Sequence, residues 1–325
     1  MNYLNLYADF LKRFLKPKRE LKVVFDCSDG VTGIILKELF RKSNVKSQTL
    51  KVTPFFINDK VDGNFPAHGP NPLANGATKQ LEKEVKKQKA DLGVIFDGDG
   101  DRVFFLDNKG RWIDPNESAY ILMQIFKPPY VVGIVSSWRL KESNVKGPAE
   151  GEARQGRQMS KVFVSRVGHY FFKNLMRKKK ASLGLEHSGH YYFKDFFYCD
   201  SGIFAAIQVI NFISGLKTDL ASWLDKLPKY YRSGEINFRI ENKELVLREV
   251  EKFYKKSAKK ISKIDGITME FSSPSAGSGQ NSSEFWFNLR PSNTENLIRL
   301  NIETTSKLLL DKKLKEIKKV ISFES

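Results

Sequence analysis

Asp97, Gly98, Asp99, Gly100, Asp101 and Arg102 follow directly on an apolar run, and their spacing is that of a cation site. Three carboxylates at alternate positions present hard oxygens to one point, and the glycines between them let the backbone fold back; the set suits Mg²⁺. Uncompensated, three anions this close cost stability, a second reason to expect a cation. A calcium-binding EF-hand is excluded, because it needs Gly at its sixth position and Glu at its twelfth, where Arg102 and Asn108 stand. A plain structural turn is the bland alternative.

Two further clusters carry donors and acceptors. Glu186, His187, Ser188, Gly189 and His190 put a carboxylate, a hydroxyl and imidazoles on one glycine turn, with Arg166, Val167, Gly168 and His169 upstream. Such a turn can bracket vicinal sugar hydroxyls, since Glu accepts while Ser and His do either; a solvated His-rich loop fits the same residues. Arg290, Pro291, Ser292, Asn293, Thr294 and Glu295 combine a guanidinium fork, hydroxyls and turn amides, which suits a phosphate dianion. An unremarkable turn fits there too. A haloacid dehalogenase-like phosphatase would make Asp97 a nucleophile and Asp99 an acid/base, but it leaves Arg102 unexplained and wants a later lysine and acidic pair.

The elements that must position these loops follow from periodicity. Leu4, Tyr7, Leu11 and Phe14 predict a helix closed by Pro17, whose stripe can pack against a further domain. A strand over 21–25, a glycine turn and a helix over 34–40 open a parallel α/β layer; the glycines do not make a dinucleotide fingerprint. Residues 62–72 predict a loop, 73–89 a helix and 91–96 a buried strand delivering Asp97. Phe104 and Leu106 before the Asn108, Lys109, Gly110 turn predict a hairpin. A second unit is expected from a helix over 117–126, strands over 130–135 and 162–164, a helix over 169–178 and a strand over 181–185. Residues 144–161 and 272–283 predict surface loops. Alternating strands at 236–240, 285–289 and 298–302, with helices through Val246, Val250 and Phe253 and through Leu310, Leu314, Ile317 and Ile321, predict a final α+β unit.

The 325 residues carry a net charge of +18, which concentrates anions at the surface. Basic residues interleaved with aromatics in a stripe, or a nucleic-acid module, are not apparent, so small phosphorylated molecules are expected and nucleic acid is not. Cys27 and Cys199 lack metal or redox spacing and read as buried free thiols. With neither a leader nor a membrane-length apolar run in the sequence, the expectation is a cytoplasmic protein without a membrane partner.

In this order and at these separations the three loops resemble those of the α-D-phosphohexomutases, the phosphomannomutase/phosphoglucomutase family. The likeness extends through His68, Pro70, Asn71 and Pro72, through Val167, Gly168 and His169, and through Tyr230, Arg232, Ser233 and Gly234. It implies an α/β fold of consecutive mixed-sheet mutase domains followed by a C-terminal α+β domain: 1–112 with the metal loop, 113–228 with the sugar loop, 229–325 with the phosphate loop. It implies that Asp97, Asp99 and Asp101 hold Mg²⁺ and that Arg102 aids phosphoryl transfer. His169 and His190 join Arg102 in the catalytic set and, with Arg166, line the sugar cleft. Glu186 and Ser188 read sugar hydroxyls, and Arg290, Ser292, Asn293 and Thr294 grip the phosphate not being transferred.

The family reaction interconverts hexose 1-phosphate and hexose 6-phosphate through a hexose 1,6-bisphosphate, the intermediate and activator, around a phosphoserine. The resembling domains are the second to fourth, and the Ser, His, Asn, Pro string of the first does not occur. Leu185 stands where the family has a glycine, and 144–161 is about ten residues longer than the family spacing. Activity is therefore expected to need a separate phosphoserine-bearing domain; a non-catalytic sugar-phosphate-binding subunit or remnant is the alternative.

Overall fold

The computed structural model describes residues 2–41, 51–141, 161–271, 284–292 and 295–322. The expected first helix forms as α1 (Tyr3–Lys12), capped by the Asn2 side chain. Of its stripe, Leu11 is fully buried and Phe14 packs edge-on to Phe204 at 4.8 Å, while Leu4 and Tyr7 stay partly exposed. Next come β1 (Leu21–Asp26), α2 (Thr32–Phe40), β2 (Val52–Ile57), α3 (Lys79–Gln88), β3 (Leu92–Phe96), β4 (Val103–Leu106) and β5 (Trp112–Ile113). The sheet order is β2-β1-β3-β4-β5. β1 pairs parallel to β2 and β3, while β3, β4 and β5 are antiparallel neighbours.

Sequence patterning passes over β2, which contains Pro54, and its edge position is what tolerates a residue without an N–H. The predicted 73–89 helix starts only at Lys79. Gly76, at φ +83°, breaks the run, and short turns precede it. Leu81 and Val85 then bury one face of α3 against Val24, Ile95, Phe104 and Leu106 of the sheet, which anchors the strand that delivers Asp97.

α4 (Pro115–Ile125) begins at an Asp114–Glu117 capping box with proline at its first position, a device worth about 1 kcal/mol. It is followed by β6 (Tyr130–Gly133), α5 (Trp138–Lys141), β7 (Val162–Ser165), α6 (His169–Lys179), β8 (Leu183–Leu185), β9 (Tyr191–Phe193), β10 (Cys199–Asp200), α7 (Gly202–Ser214) and α8 (Leu220–Asp225). The second sheet runs β10-β9-β8-β6-β7. α7 is apolar almost all round and buried along most of its length, so it carries no amphipathic period to detect. Of the two thiols, Cys27 is buried and Cys199 only partly so, which corrects the expectation that both are buried.

The last sheet gathers β11 (Tyr231–Arg232), β12 (Ile236–Arg239), β13 (Lys260–Ser262), β14 (Ile267–Glu270), β15 (Phe285–Pro291) and β16 (Leu297–Thr304), with α9 (Lys243–Tyr254) and α10 (Lys307–Ser322). Its path is β11-β16-β15-β14-β13, with β12 also on β16. Val246 and Val250 of α9 and Ile317 and Ile321 of α10 close over Phe287, Leu289, Leu300 and Ile302.

The chain divides into two compact units. The first holds residues 1–131, 144–162 and 173–227; the second holds 132–143, 163–172 and 228–325. Among the described residues no helix is long and apolar enough to cross a membrane. The expected loop over 144–161, except Lys161, and the one over 272–283 lie outside the described residues.

Candidate functional site

In the first unit the carboxylates of Asp97, Asp99 and Asp101 have ligand atoms within 4.8 Å of one another. Asp97 is 3% exposed. Its Oδ1 accepts the N–H groups of Gly100 (3.0 Å) and Arg102 (3.1 Å), and its Oδ2 accepts Arg102 Nε at 2.6 Å. Burial pushes the Asp97 carboxyl up, Arg102 pulls it back, and the Asp101 charge adds to the rise. A divalent cation would relieve that mutual repulsion, so the donor set, all hard oxygen, fits Mg²⁺.

The glycine turn after β8 lies against this loop. Arg102 and His190 form an isolated antiparallel bridge, and the Val103 N–H donates to the Gly189 carbonyl at 3.2 Å. His190 Nε2 stands 3.3 Å from Asp101 Oδ1, and its Nδ1 stands 2.8 Å from Ser188 Oγ and 3.7 Å from Glu186 Oε2. Burial pulls the imidazole down, but the Asp101 hydrogen bond and the Asp101 and Glu186 charges outweigh it and hold His190 above its ordinary value. Glu186 is buried, and the Tyr192 hydroxyl donates to its Oε2 at 3.0 Å. Asp97, Asp99, Asp101, Arg102, Glu186, Ser188 and His190 are thus gathered in one place, as three hard anions beside a carboxylate, a hydroxyl and an imidazole.

The second unit holds Arg166, His169, Arg290 and Ser292. Arg166 is exposed, its guanidinium 4.5 Å over the Phe171 ring, and His169 opens α6. Arg290 Nη2 donates to Glu235 at 2.7 Å, and Nη1 is 3.9 Å from Asp265. Arg290 Nε is buried and lacks a hydrogen-bond partner among the described residues. The Asp265 carboxylate also accepts the Val167 N–H at 3.4 Å, so one side chain lies between the Val167 backbone and Arg290. Ser292 Oγ accepts the Glu295 N–H at 3.3 Å. Asn293 and Thr294 lie outside the described residues.

Sequence reasoning missed Tyr192, Asp265, Glu235 and Lys243, whose ammonium donates to the carbonyls of Ser292 and Glu295 at 3.0 Å each. Only Tyr192 had a local signal, at six residues from Glu186.

Comparison with known proteins gives a consistent picture. Residues 3–110 match the family model for phosphoglucomutase/phosphomannomutase, alpha/beta/alpha domain II; residues 154–231 match domain III and residues 235–320 the C-terminal domain. A phosphomannomutase of Methanocaldococcus jannaschii is 34% identical over 322 residues, 98% of this chain and 66% of that protein. This chain therefore spans slightly less than two thirds of that relative. The structure of a phosphoglucomutase/phosphomannomutase family protein from Burkholderia thailandensis superposes with a TM-score of 0.79 at 23% identity, covering 99% of this chain and 64% of the other. Aspergillus fumigatus N-acetylphosphoglucosamine mutase, solved in complex with GlcNAc-6P and magnesium, shares the fold at a TM-score of 0.64 and 14% identity, with 98% and 65% covered.

Proposed function

The chain belongs to the phosphoglucomutase/phosphomannomutase family, and from that membership we propose that it supplies the metal, sugar and distal-phosphate sites of a Mg²⁺-dependent hexose-phosphate mutase. The reaction is interconversion of hexose 1-phosphate and hexose 6-phosphate through hexose 1,6-bisphosphate. The observation that carries the reading is the stitching of the aspartate loop to the Glu186–His190 turn, by the Arg102–His190 bridge and the Asp101–His190 contact. The magnesium complex of the Aspergillus enzyme supports the choice of ion.

In this reading Asp97, Asp99 and Asp101 hold Mg²⁺, which when bound neutralises charge on the phosphoryl group in transfer. Arg102, fixed by Asp97 in a charge-assisted pair, directs its remaining guanidinium donors at that group. Glu186 and Ser188 read sugar hydroxyls, and Tyr192 fixes the rotamer with which Glu186 does so. His190, held between Asp101 and Glu186, carries a proton at the reacting hydroxyl, a task shared with His169 in the catalytic set; Arg166 contributes charge to the sugar phosphate. Arg290, Ser292, Asn293 and Thr294 grip the phosphate that stays in place. The domain reading is 1–112, 113–228 and 229–325, in a cytoplasmic enzyme.

The 325 residues contain no Ser, His, Asn, Pro string; in our reading the phosphoryl-carrying serine comes from a polypeptide segment outside them. The phosphatase reading is disfavoured because Arg102 occupies Asp97, the carboxylate that reading needs free as a nucleophile. Isothermal titration of Mg²⁺ tests the metal assignment: the wild type should bind and Asp99→Asn should not, and equal binding by both would count against it.

A further inference from the structure

Asp26 and His68 take no part in the chemistry above, yet they form a buried hydrogen-bonded pair. The Asp26 side chain is fully buried and that of His68 is 6% exposed, with His68 Nε2 3.1 Å from Asp26 Oδ2. Asp26 Oδ1 also accepts the Ser28 N–H and Asn58 Nδ2, each at 3.0 Å. Polar oxygens removed from water this completely cost stability unless they have such partners.

The two residues sit on different segments, and both segments grip the metal loop at one peptide. On the His68 side, the Pro70 carbonyl accepts the Gly98 N–H at 3.1 Å, and the Phe65 ring lies so close that a Cβ on Gly98 would meet it at 2.9 Å. On the Asp26 side, the Val31 N–H donates to the Gly98 carbonyl at 3.4 Å, and Ser28 Oγ donates to the Phe96 carbonyl at 2.5 Å. Gly30 abuts the Gly98 carbonyl so tightly that an added Cβ would lie 2.3 Å from it. Both polar groups of Gly98, the residue between two of the three aspartates, are thus held by separate segments. Those segments are joined by Asp26–His68, by the Ala67 N–H on Asp29 Oδ2 at 3.0 Å and by the Asp62 N–H on the Asp29 carbonyl at 2.9 Å.

We propose that Asp26 and His68 are a positioning pair: their contact clasps the 26–32 turn to the 62–72 loop and so fixes the Gly98 peptide and the convergence of the three aspartates. The proposal rests on the reading of Asp97, Asp99 and Asp101 as the Mg²⁺ site, and its first readout needs no metal. In His68→Ala the amides of Gly98 and Val31 should exchange hydrogen at least about tenfold faster, by local opening, while those of Val24 and Ile95 inside the strands keep their protection. Mg²⁺ affinity by titration should fall about 10-fold or more, the usual size for loss of an outer support. His68→Gln, whose amide can still donate to Asp26, should retain both properties within about threefold. A core variant in α6 over the second sheet, Met176→Ala, should lose thermal stability without either local effect.

Unchanged Gly98 and Val31 exchange in His68→Ala, or the same acceleration and affinity loss in Met176→Ala, would overturn the clasp. Should His68→Ala fail to fold, His68→Leu, which fills the space but cannot donate to Asp26, must show the same local loss, and its absence overturns the proposal equally. A wild type that binds no Mg²⁺ brings down the metal reading, while the exchange comparison still decides the clasp.

Discussion

Arg290, proposed to grip the phosphate that stays in place, has part of its fork already engaged by Glu235 and a second carboxylate, Asp265, nearby. Lysine can keep one ion pair but cannot span two acceptors with a planar fork. Arg290→Lys should therefore weaken mannose 6-phosphate binding about tenfold, roughly 1.4 kcal/mol, with little change in the Tm of the free protein; unaltered affinity would remove Arg290 from the site. Lys141 is a different case. Burial pushes its ammonium down to about 8, where it packs 4.1 Å over the Trp286 ring and donates to the Ile134 carbonyl at 2.6 Å. Below pH 8 the group is charged in both states and the burial penalty is fully present. Between pH 8 and about 10.5 the unfolded chain binds more protons, so this group makes stability rise with pH. Lys141→Met should accordingly stabilise the protein by roughly 2 kcal/mol at pH 7, and the gain should shrink as pH approaches 10; denaturant titrations at both pH values read this, and a gain independent of pH would contradict it.

At the scale of elements, the aspartate loop works because a strand end, a helix start and a glycine meet. Gly100 has φ +77°, and a Cβ there would lie 2.3 Å from Thr32 Cγ2 at the start of α2. Gly100→Ala should cost about 2–4 kcal/mol, from left-handed strain plus this clash. Adding Thr32→Ser removes the offending methyl and should leave only the backbone part, about 1–2 kcal/mol. A double-mutant cycle from urea unfolding measures the difference, and strict additivity would show that the two residues do not press on each other. The elements flanking this loop were legible because β3 is a short apolar run ended by turn residues and the Asn108–Gly110 turn marks the hairpin. α7 was not legible: burial on every side leaves no polar face, and so no period.

Across the whole molecule, the family domains match most of the chain, yet the chain spans only 66% of the Methanocaldococcus phosphomannomutase. Positioning and electrostatics stabilise a transition state but do not supply a phosphoryl donor. We expect the purified 325-residue chain, given mannose 1-phosphate and glucose 1,6-bisphosphate, to bind without turnover in a coupled assay. Addition of a family first domain carrying its phosphoserine should restore measurable interconversion. Turnover by the chain alone, above a control with Asp97, Asp99 and Asp101 all changed to Ala, would refute that dependence.

What the sequence by itself determined is the chemistry written in contiguous residues: the aspartate loop, the Glu186–His190 turn, the Arg290 loop, and the strands and helices whose apolar period faces one core. Each is legible because its donors are neighbours in the chain, so spacing alone states which groups one loop can bring together. The tertiary structure decided what joins them. Asp101 and His190 meet across 89 positions of sequence, Asp265 reaches Val167 across 98, Lys243 reaches the Ser292 carbonyl across 49, and Asp26 reaches His68 across 42. No periodicity encodes such pairs, because a single polar residue contributes nothing to a hydrophobic pattern. Its partner is chosen by strand order and loop path, which depend on how the whole chain buries its apolar faces.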